Sequence, residues 1–192
     1  MPLDPVEFAD GFPDWAIAGP ERRAHVERVV ALLDEWAVAL GMSDVDRRRL
    51  RAAGWLHDSL RDATGEVLRP MVAPELRDLP RKLLHGPAAA TRLRELGMVD
   101  RDVLRAVSFH TVGHPDLGLI GRLLYLADYL EPGRPFDEEH RAELRARMPD
   151  EWRDVLRTVV RARVRHLLDS GNIIRPETMG FWNSVVRDLE NA

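Results

Sequence analysis

Histidine and aspartate occupy positions at which this chain would otherwise bury apolar side chains. His25 lies on the same helix face as Leu32, and His57, His110 and Asp128 stand on apolar faces of later segments with helical spacing. An ionised carboxylate that is buried without a partner costs roughly several kcal/mol. The chain must therefore fold so that these side chains meet a cation or a dense set of hydrogen-bond donors.

Each of these residues also has an ordinary explanation when it is taken alone. A lone histidine on an apolar face is more often a hydrogen-bonded core residue than a ligand, and Asp128 could cap a helix or pair with a buried arginine. Together they favour a metal site, because His57 and Asp58 are adjacent and Asp128 adds a second carboxylate. The chain contains no cysteine, so imidazole and carboxylate would bind the metal. These ligands suit iron, manganese, zinc, nickel or cobalt, with magnesium less favoured.

Hydrophobic periodicity predicts an all-α fold, since no segment shows a convincing alternation of apolar and polar residues. Ser43 or Asp44 is expected to cap the second helix, and Asp100 to cap a later one. The predicted helices cover residues 20–41, 44–58, a segment after 85–87, 100–110, 117–131, 150–169 and 177–189.

Three segments lack this periodicity. Residues 1–19 are expected to form an irregular lead-in, and 59–80 a loop-rich excursion with at most a short helix at Pro74–Leu79. Residues 135–149 look mobile. Residues 20–190 are therefore expected to form one helical bundle.

Composition excludes several classes of protein. The net charge of -4 and the pI near 6.0 argue against nucleic-acid binding, and 45% hydrophobic residues suffice for one sizeable core. No stretch approaches the roughly 18 apolar residues of a membrane span, and the first residues do not resemble a signal peptide. A cytoplasmic location is the resulting expectation.

The order of the candidate ligands resembles a known signature. His25, then His57-Asp58, then Asp128 resembles the His … His-Asp … Asp order of the HD-domain phosphohydrolase superfamily. The segments AAGWLHDSLRD, LLHGPAAA, LRAVSFHTVGHP and LLYLADYLEPGRPF resemble successive blocks of bacterial HD hydrolases of the YqeK type. IIRPETMGFWN is similar to the C-terminal block of that family, so the resemblance spans approximately residues 20–185.

Members of that family cleave diadenosine tetraphosphate symmetrically into two ADP. The resemblance implies a single HD-domain helical bundle that binds one or two divalent metal ions, with iron expected first and manganese, nickel, cobalt or magnesium as alternatives. It implies that the first metal is bound by His25, His57, Asp58 and Asp128. It further implies that His85 and His110 complete a second site, with Asp58 bridging both.

Charged residues near these blocks are candidates for contact with a nucleotide substrate. Asp58 and Arg61 are expected to be catalytic, and Arg61 stands where HD motifs commonly carry lysine. Arg134 in EPGR, Lys82 and His114 are candidate substrate contacts, because phosphoryl transfer needs cationic partners. Simple solvation explains Lys82 slightly better, and an exposed loop position explains His114 about as well.

Other functions share the same ligand order. They are an HD-type nucleotidase or pyrophosphatase acting on another nucleotide, an HD-type di-iron oxygenase, and a non-catalytic nucleotide-binding regulatory module. The sequence also leaves a homodimer open, because the apolar C-terminal helix around Phe181 and Trp182 could pack against a partner. Packing against the core of the same chain is the preferred interpretation.

Overall fold

The computed structural model describes residues 3–190, and within this range the protein is all-α. Its α-helices are α1 (Pro20–Ala39), α2 (Asp44–Leu56), α3 (Gly65–Met71), α4 (His85–Glu95), α5 (Arg101–Phe109), α6 (Leu119–Leu130), α7 (Glu138–Ala146), α8 (Trp152–Asp169) and α9 (Pro176–Glu190). Short 3-10 helices cover Pro5–Phe8, Pro74–Leu76 and Arg81–Leu83. An isolated bridge between Leu3 and Met98 is the β-type pairing found in the described residues. The predicted fold class is confirmed.

Side-chain caps explain where several helices begin. The Ser43 hydroxyl accepts a hydrogen bond from the backbone N–H of Asp46, which starts α2. The Asp100 carboxylate accepts from the backbone N–H groups of Asp102 and Val103, which starts α5. Both caps stand where the sequence predicts them.

Two of the three segments that lack periodicity, 59–80 and 135–149, contain more helix than their sequence indicates. Thr64 caps α3, although Pro70 lies inside this helix and masks its periodicity. The expectation that 135–149 is mobile is wrong, because α7 forms there and its Arg141 is only 1% exposed. The Arg141 guanidinium donates hydrogen bonds to backbone carbonyls of the preceding loop, which fixes both the loop and the helix.

The segment before α1 packs on the helical bundle. The Ala9 carbonyl accepts hydrogen bonds from Arg51 Nε at 3.0 Å and from Trp55 Nε1 at 3.1 Å, both on α2. The backbone N–H of Ile17 donates to the Ser59 carbonyl at 2.7 Å. These contacts anchor the lead-in against α2.

A close approach between α1 and α2 sets the centre of the core. A Cβ atom at Gly54 would lie 2.9 Å from Val30 Cγ2, so only glycine permits this separation. At the other end of the bundle α9 covers α8, and Phe181 is 0% exposed in the core of the same chain. No helix in the described part of the chain is long and apolar enough to cross a membrane.

Gly113 provides a test of this packing. Its φ is +76°, and an added Cβ would overlap the buried ring of Phe181. Gly113→Ala should therefore lower the free energy of unfolding by about 2 kcal/mol or more, since backbone strain and overpacking add. Urea denaturation measures this change. Gly11→Ala is the matched control, because no heavy atom lies within 4 Å of its added Cβ. Equal stability of the two variants would contradict the packing described here.

Candidate metal centre

The six candidate ligands converge where five helices meet. His25 lies in the second turn of α1, His57 and Asp58 follow α2, His85 begins α4, His110 follows α5 and Asp128 lies in the last turn of α6. The histidines and Asp58 are at most 5% exposed. Residues far apart in the sequence thus share one buried polar cluster.

Asp58 divides this cluster into two halves. Its Oδ1 lies 3.0 Å from His85 Nε2 and 3.4 Å from His110 Nε2. Its Oδ2 lies 3.7 Å from both His25 Nε2 and His57 Nε2. The ligands form two triads, one of His25, His57 and Asp58 and the other of Asp58, His85 and His110. The ligand atoms of each triad lie close enough together to hold one metal ion. The Asp58 carboxylate belongs to both triads, so it is placed to be shared by two ions.

Backbone carbonyls fix the orientation of two rings. His57 Nδ1 lies 2.6 Å from the Gly54 carbonyl, and His110 Nδ1 lies 2.8 Å from the Val107 carbonyl. A carbonyl oxygen only accepts hydrogen bonds, so each ring carries its proton on Nδ1 and its lone pair on Nε2. This is the tautomer in which Nε2 of each ring can bind a metal at the centre.

The atoms at the centre fit a cation. The buried Nε2 atoms of His25 and His57 have no hydrogen-bond partner among the described residues. His25 Nε2 also lies 3.1 Å from Asp128 Oδ1 without hydrogen-bond alignment. Burial lowers the pKa of His25, but Asp128 and Glu131 outweigh that effect and raise it. This position therefore attracts a positive charge, either a proton or a metal ion.

Three further ligands, His57, His85 and Asp58, are held in the protonation state that metal binding needs. Burial lowers the pKa of His57 and of His85 to about 4, so both rings are neutral near neutral pH. Burial opposes ionisation of Asp58, but the neighbouring imidazoles of His57, His110 and His85 hold its pKa well below the ordinary value. The neutral imidazoles of His57 and His85 therefore lie beside an ionised carboxylate.

A cleft with a cavity volume of about 120 Å³ opens over this centre. Its wall combines cationic and aromatic side chains with the ligands: Arg22, Arg61, Arg134, Arg163, Thr111, Tyr125, Tyr129 and Phe136 line it beside Asp58, His85, His110 and Asp128. Guanidinium groups match the geometry of phosphate oxygens, and aromatic faces suit planar rings. The cleft is therefore suited to a phosphorylated ligand that carries a planar group.

The structure brings two of the four other predicted site residues into this cleft. Arg61 and Arg134 line it, and Arg134 donates to the Asp128 carboxylate and backbone carbonyl. Lys82 is exposed outside the lining, where its carbonyl accepts from Arg61 Nη1 at 3.2 Å. His114 is also outside it, because its ring packs on Phe109 and its Nδ1 accepts from the Asp116 N–H.

The structure places three further polar residues at the site that the sequence pattern does not single out. Arg22 donates to Asp58 Oδ2 at 2.7 Å, and its position one turn before His25 was the signal that could have found it. Arg163 reaches the cleft from α8 and donates to the Thr111 carbonyl at 3.1 Å, but nothing distinguishes it from the other arginines of that helix. Glu131 stands in the EPGR block and contacts a candidate ligand directly.

Glu131 orients His25. Its Oε1 lies 3.1 Å from His25 Nδ1, and its Oε2 accepts from Arg28 Nε at 2.6 Å and from the Gly133 N–H at 2.7 Å. The carboxylate is 1% exposed, and although burial opposes ionisation, the bonds from His25, Arg28 and Gly133 lower the pKa of Glu131 to about 2. A carboxylate behind a ligating histidine fixes the tautomer and increases the basicity of the ring.

Replacing Glu131 tests this role. Glu131→Ala should weaken metal binding by about 10- to 100-fold, because His25 loses its fixed orientation. Glu131→Gln should weaken it less, since the amide oxygen still accepts from Nδ1. Chelator competition gives the metal affinity, and thermal unfolding of the metal-free proteins separates it from folding. Glu177→Ala removes a partly exposed carboxylate outside the cleft lining and serves as control. Metal binding of Glu131→Ala as tight as that of the wild type would refute the role.

This chain is similar to known proteins of one family. The HD domain family model matches residues 22–133. The symmetrical bis(5'-nucleosyl)-tetraphosphatase of Halalkalibacterium halodurans is 29% identical over 147 residues, which cover 73% of this chain and 78% of that enzyme. The enzyme of the same name from Bacillus subtilis is 34% identical over 97 residues, 47% of this chain and only 52% of the relative.

A solved structure agrees in fold. It comes from Clostridium acetobutylicum, is described as a predicted HD superfamily hydrolase involved in NAD metabolism, and superposes with a TM-score of 0.76 at 27% identity. The match covers 88% of this chain and 91% of the other. The family model spans more than half of the chain, and all six candidate ligand positions lie within residues 22–133. The chain belongs to the HD-domain family of metal-dependent phosphohydrolases.

Proposed function

We propose that this protein hydrolyses dinucleoside polyphosphates and cleaves diadenosine tetraphosphate symmetrically into two ADP. The observation that carries the proposal is the position of the Asp58 carboxylate at an arginine-lined cleft. Its two oxygens face two different pairs of histidines. The names of the relatives supply the substrate class.

Each half of the cluster has its own ligands in this proposal. His25, His57, Asp58 and Asp128 would hold one divalent ion. His85 and His110 would hold a second ion with Asp58. Bound ions of this kind supply Lewis-acid chemistry, which lowers the pKa of water and offsets the charge of phosphate oxygens. We propose iron as the metal in the cell, since imidazole and carboxylate ligands suit it.

The arginines of the cleft bind the polyphosphate. Arg22, Arg61 and Arg134 surround the two carboxylates of the centre and present planar donor groups to the cleft. Negative charge spreads over the non-bridging oxygens during phosphoryl transfer, so fixed guanidinium groups stabilise the transition state more than the ground state. Arg61 is partly buried, and its contact with the Lys82 carbonyl holds it beside His85.

A second, more open groove supports cleavage inside the polyphosphate chain. It shares Arg22 and Arg134 with the cleft and extends past His25 to Pro20 and Pro135. The centre therefore lies between two spaces rather than at the end of one. That arrangement suits a substrate with a nucleoside on each side of the cleaved anhydride.

Two narrower expectations belong to the same proposal. A cytoplasmic location fits a nucleotide substrate. A homodimer stays a prediction, although Phe181 is buried and Trp182 is partly buried against the core of their own chain.

Product analysis tests the proposed function. Protein reconstituted with iron or manganese should release ADP as the sole nucleotide from diadenosine tetraphosphate. Release of AMP with ATP would contradict symmetrical cleavage. Turnover of mononucleotides alone would favour a nucleotidase, and nucleotide binding without any turnover would favour a regulatory module.

A further inference from the structure

Phe136 exposes a large aromatic surface at the cleft. Its side chain belongs to the lining, yet 51% of the residue is accessible to solvent. Tyr129 lines the same part of the cleft from the end of α6. Neither ring takes part in the cluster around Asp58, so the chemistry at the centre does not account for them.

A buried arginine fixes both rings from behind. The guanidinium carbon of Arg141 lies 4.9 Å from the centre of the Phe136 ring and 5.5 Å from that of Tyr129. The same group donates to the carbonyls of Phe136 at 3.3 Å and Glu131 at 3.0 Å, and to that of Tyr129. Arg141 is 1% exposed, so it is a rigid support. Cation–π contacts of this kind hold an aromatic ring in one orientation.

The position of Phe136 relates it to the phosphate-binding groups. Arg134, two residues earlier in the same turn, donates to the Asp128 carboxylate at the centre. A ligand with its phosphates near Arg134 would thus have its planar group within reach of Phe136. A preorganised aromatic face loses little conformational freedom on binding, which favours stacking of a base.

We propose that Phe136, with Tyr129 beside it, is the stacking surface for one nucleobase, and that Arg141 positions it. The inference rests on the proposed function only in taking the ligand to be a nucleotide. It requires no particular bond to be cleaved. Binding of ADP and of inorganic tripolyphosphate to the metal-loaded protein separates the two ideas, because only ADP carries a base.

The test compares these two ligands by isothermal titration calorimetry. Phe136→Ala should weaken ADP binding by roughly 5- to 150-fold, the range expected for loss of one stacked base. Tripolyphosphate binding should change by less than about twofold, since the phosphate-binding arginines stay in place. Phe136→Trp keeps an aromatic face and should retain ADP affinity within about threefold.

Phe12 offers a matched control. Its ring lies 4.6 Å from the guanidinium carbon of Arg23, so it is also an aromatic–arginine pair, but it is not part of the cleft lining. Phe12→Ala should leave both affinities unchanged. Unchanged ADP binding in Phe136→Ala, an equal loss for tripolyphosphate, or a wild-type protein that binds tripolyphosphate but no ADP would each overturn the inference. Selective loss of ADP in a protein that does not cleave diadenosine tetraphosphate would uphold it and reject the proposed function.

Discussion

Asp58→Ala should remove metal from both halves of the centre and abolish turnover. The substitution removes a carboxylate that faces both pairs of histidines. Its Oδ2 faces His25 and His57, and its Oδ1 faces His85 and His110. The catalytic rate should fall by more than about 1,000-fold, which corresponds to a loss of about 4 kcal/mol of transition-state stabilisation. Elemental analysis after gel filtration gives the metal content, and steady-state kinetics give the rate.

The control for this substitution is Asp116→Ala. Asp116 carries an exposed carboxylate outside the cleft lining, so its removal should change neither metal content nor rate. Circular dichroism of both variants establishes that they fold. An Asp58→Ala protein that keeps its metal and its turnover would show that the centre has been assigned to the wrong residues.

Gly86→Ala should empty one half of the centre and leave the other occupied. A Cβ atom at Gly86 would lie 2.8 Å from the Val107 carbonyl oxygen and 2.9 Å from that of Ser108, and backbone cannot give way as a side chain can. The start of α4 must then move away from α5. That movement separates His85 Nε2 from His110 Nε2, which are 2.9 Å apart. The metal content should fall from two ions per chain towards one, with a large loss of turnover.

Gly65→Ala is the matched substitution at the start of another helix. Its added Cβ would meet only the Arg69 side chain, at 3.7 Å, an ordinary van der Waals distance. Metal content and turnover should both stay at the wild-type level. Two ions in Gly86→Ala, or equal loss of ions from both halves, would contradict the division of the centre by Asp58.

Much of the centre could be predicted because helical periodicity encodes which side chains point inward. His25, His57, His110 and Asp128 each follow the apolar spacing of their own helix, so burial of those faces brings them together. The resemblance to HD phosphohydrolases supplied His85, whose segment carries little periodicity before α4. The four expectations from periodicity depend on local sequence pattern alone. The structure places those four side chains and His85 at one site.

The residues that hold the ligands and the neighbouring loop in place could not be predicted in the same way. Arg141 looks like any solvated arginine in the sequence, and its burial depends on loop carbonyls that only the folded chain gathers. Glu131 and Arg22 act through partners that are distant in sequence. Lys82 shows the converse: its sequence position is near the site, but the residue is exposed and lies outside the cleft lining.

Anomalous diffraction from crystals grown with iron or manganese tests whether Asp58 is shared by two ions, because it locates the ions without reference to activity. Two peaks are expected, one among His25, His57 and Asp128 and the other beside His85 and His110, with Asp58 in contact with both. Ions bound elsewhere, or a peak in which Asp58 takes no part, would contradict the account.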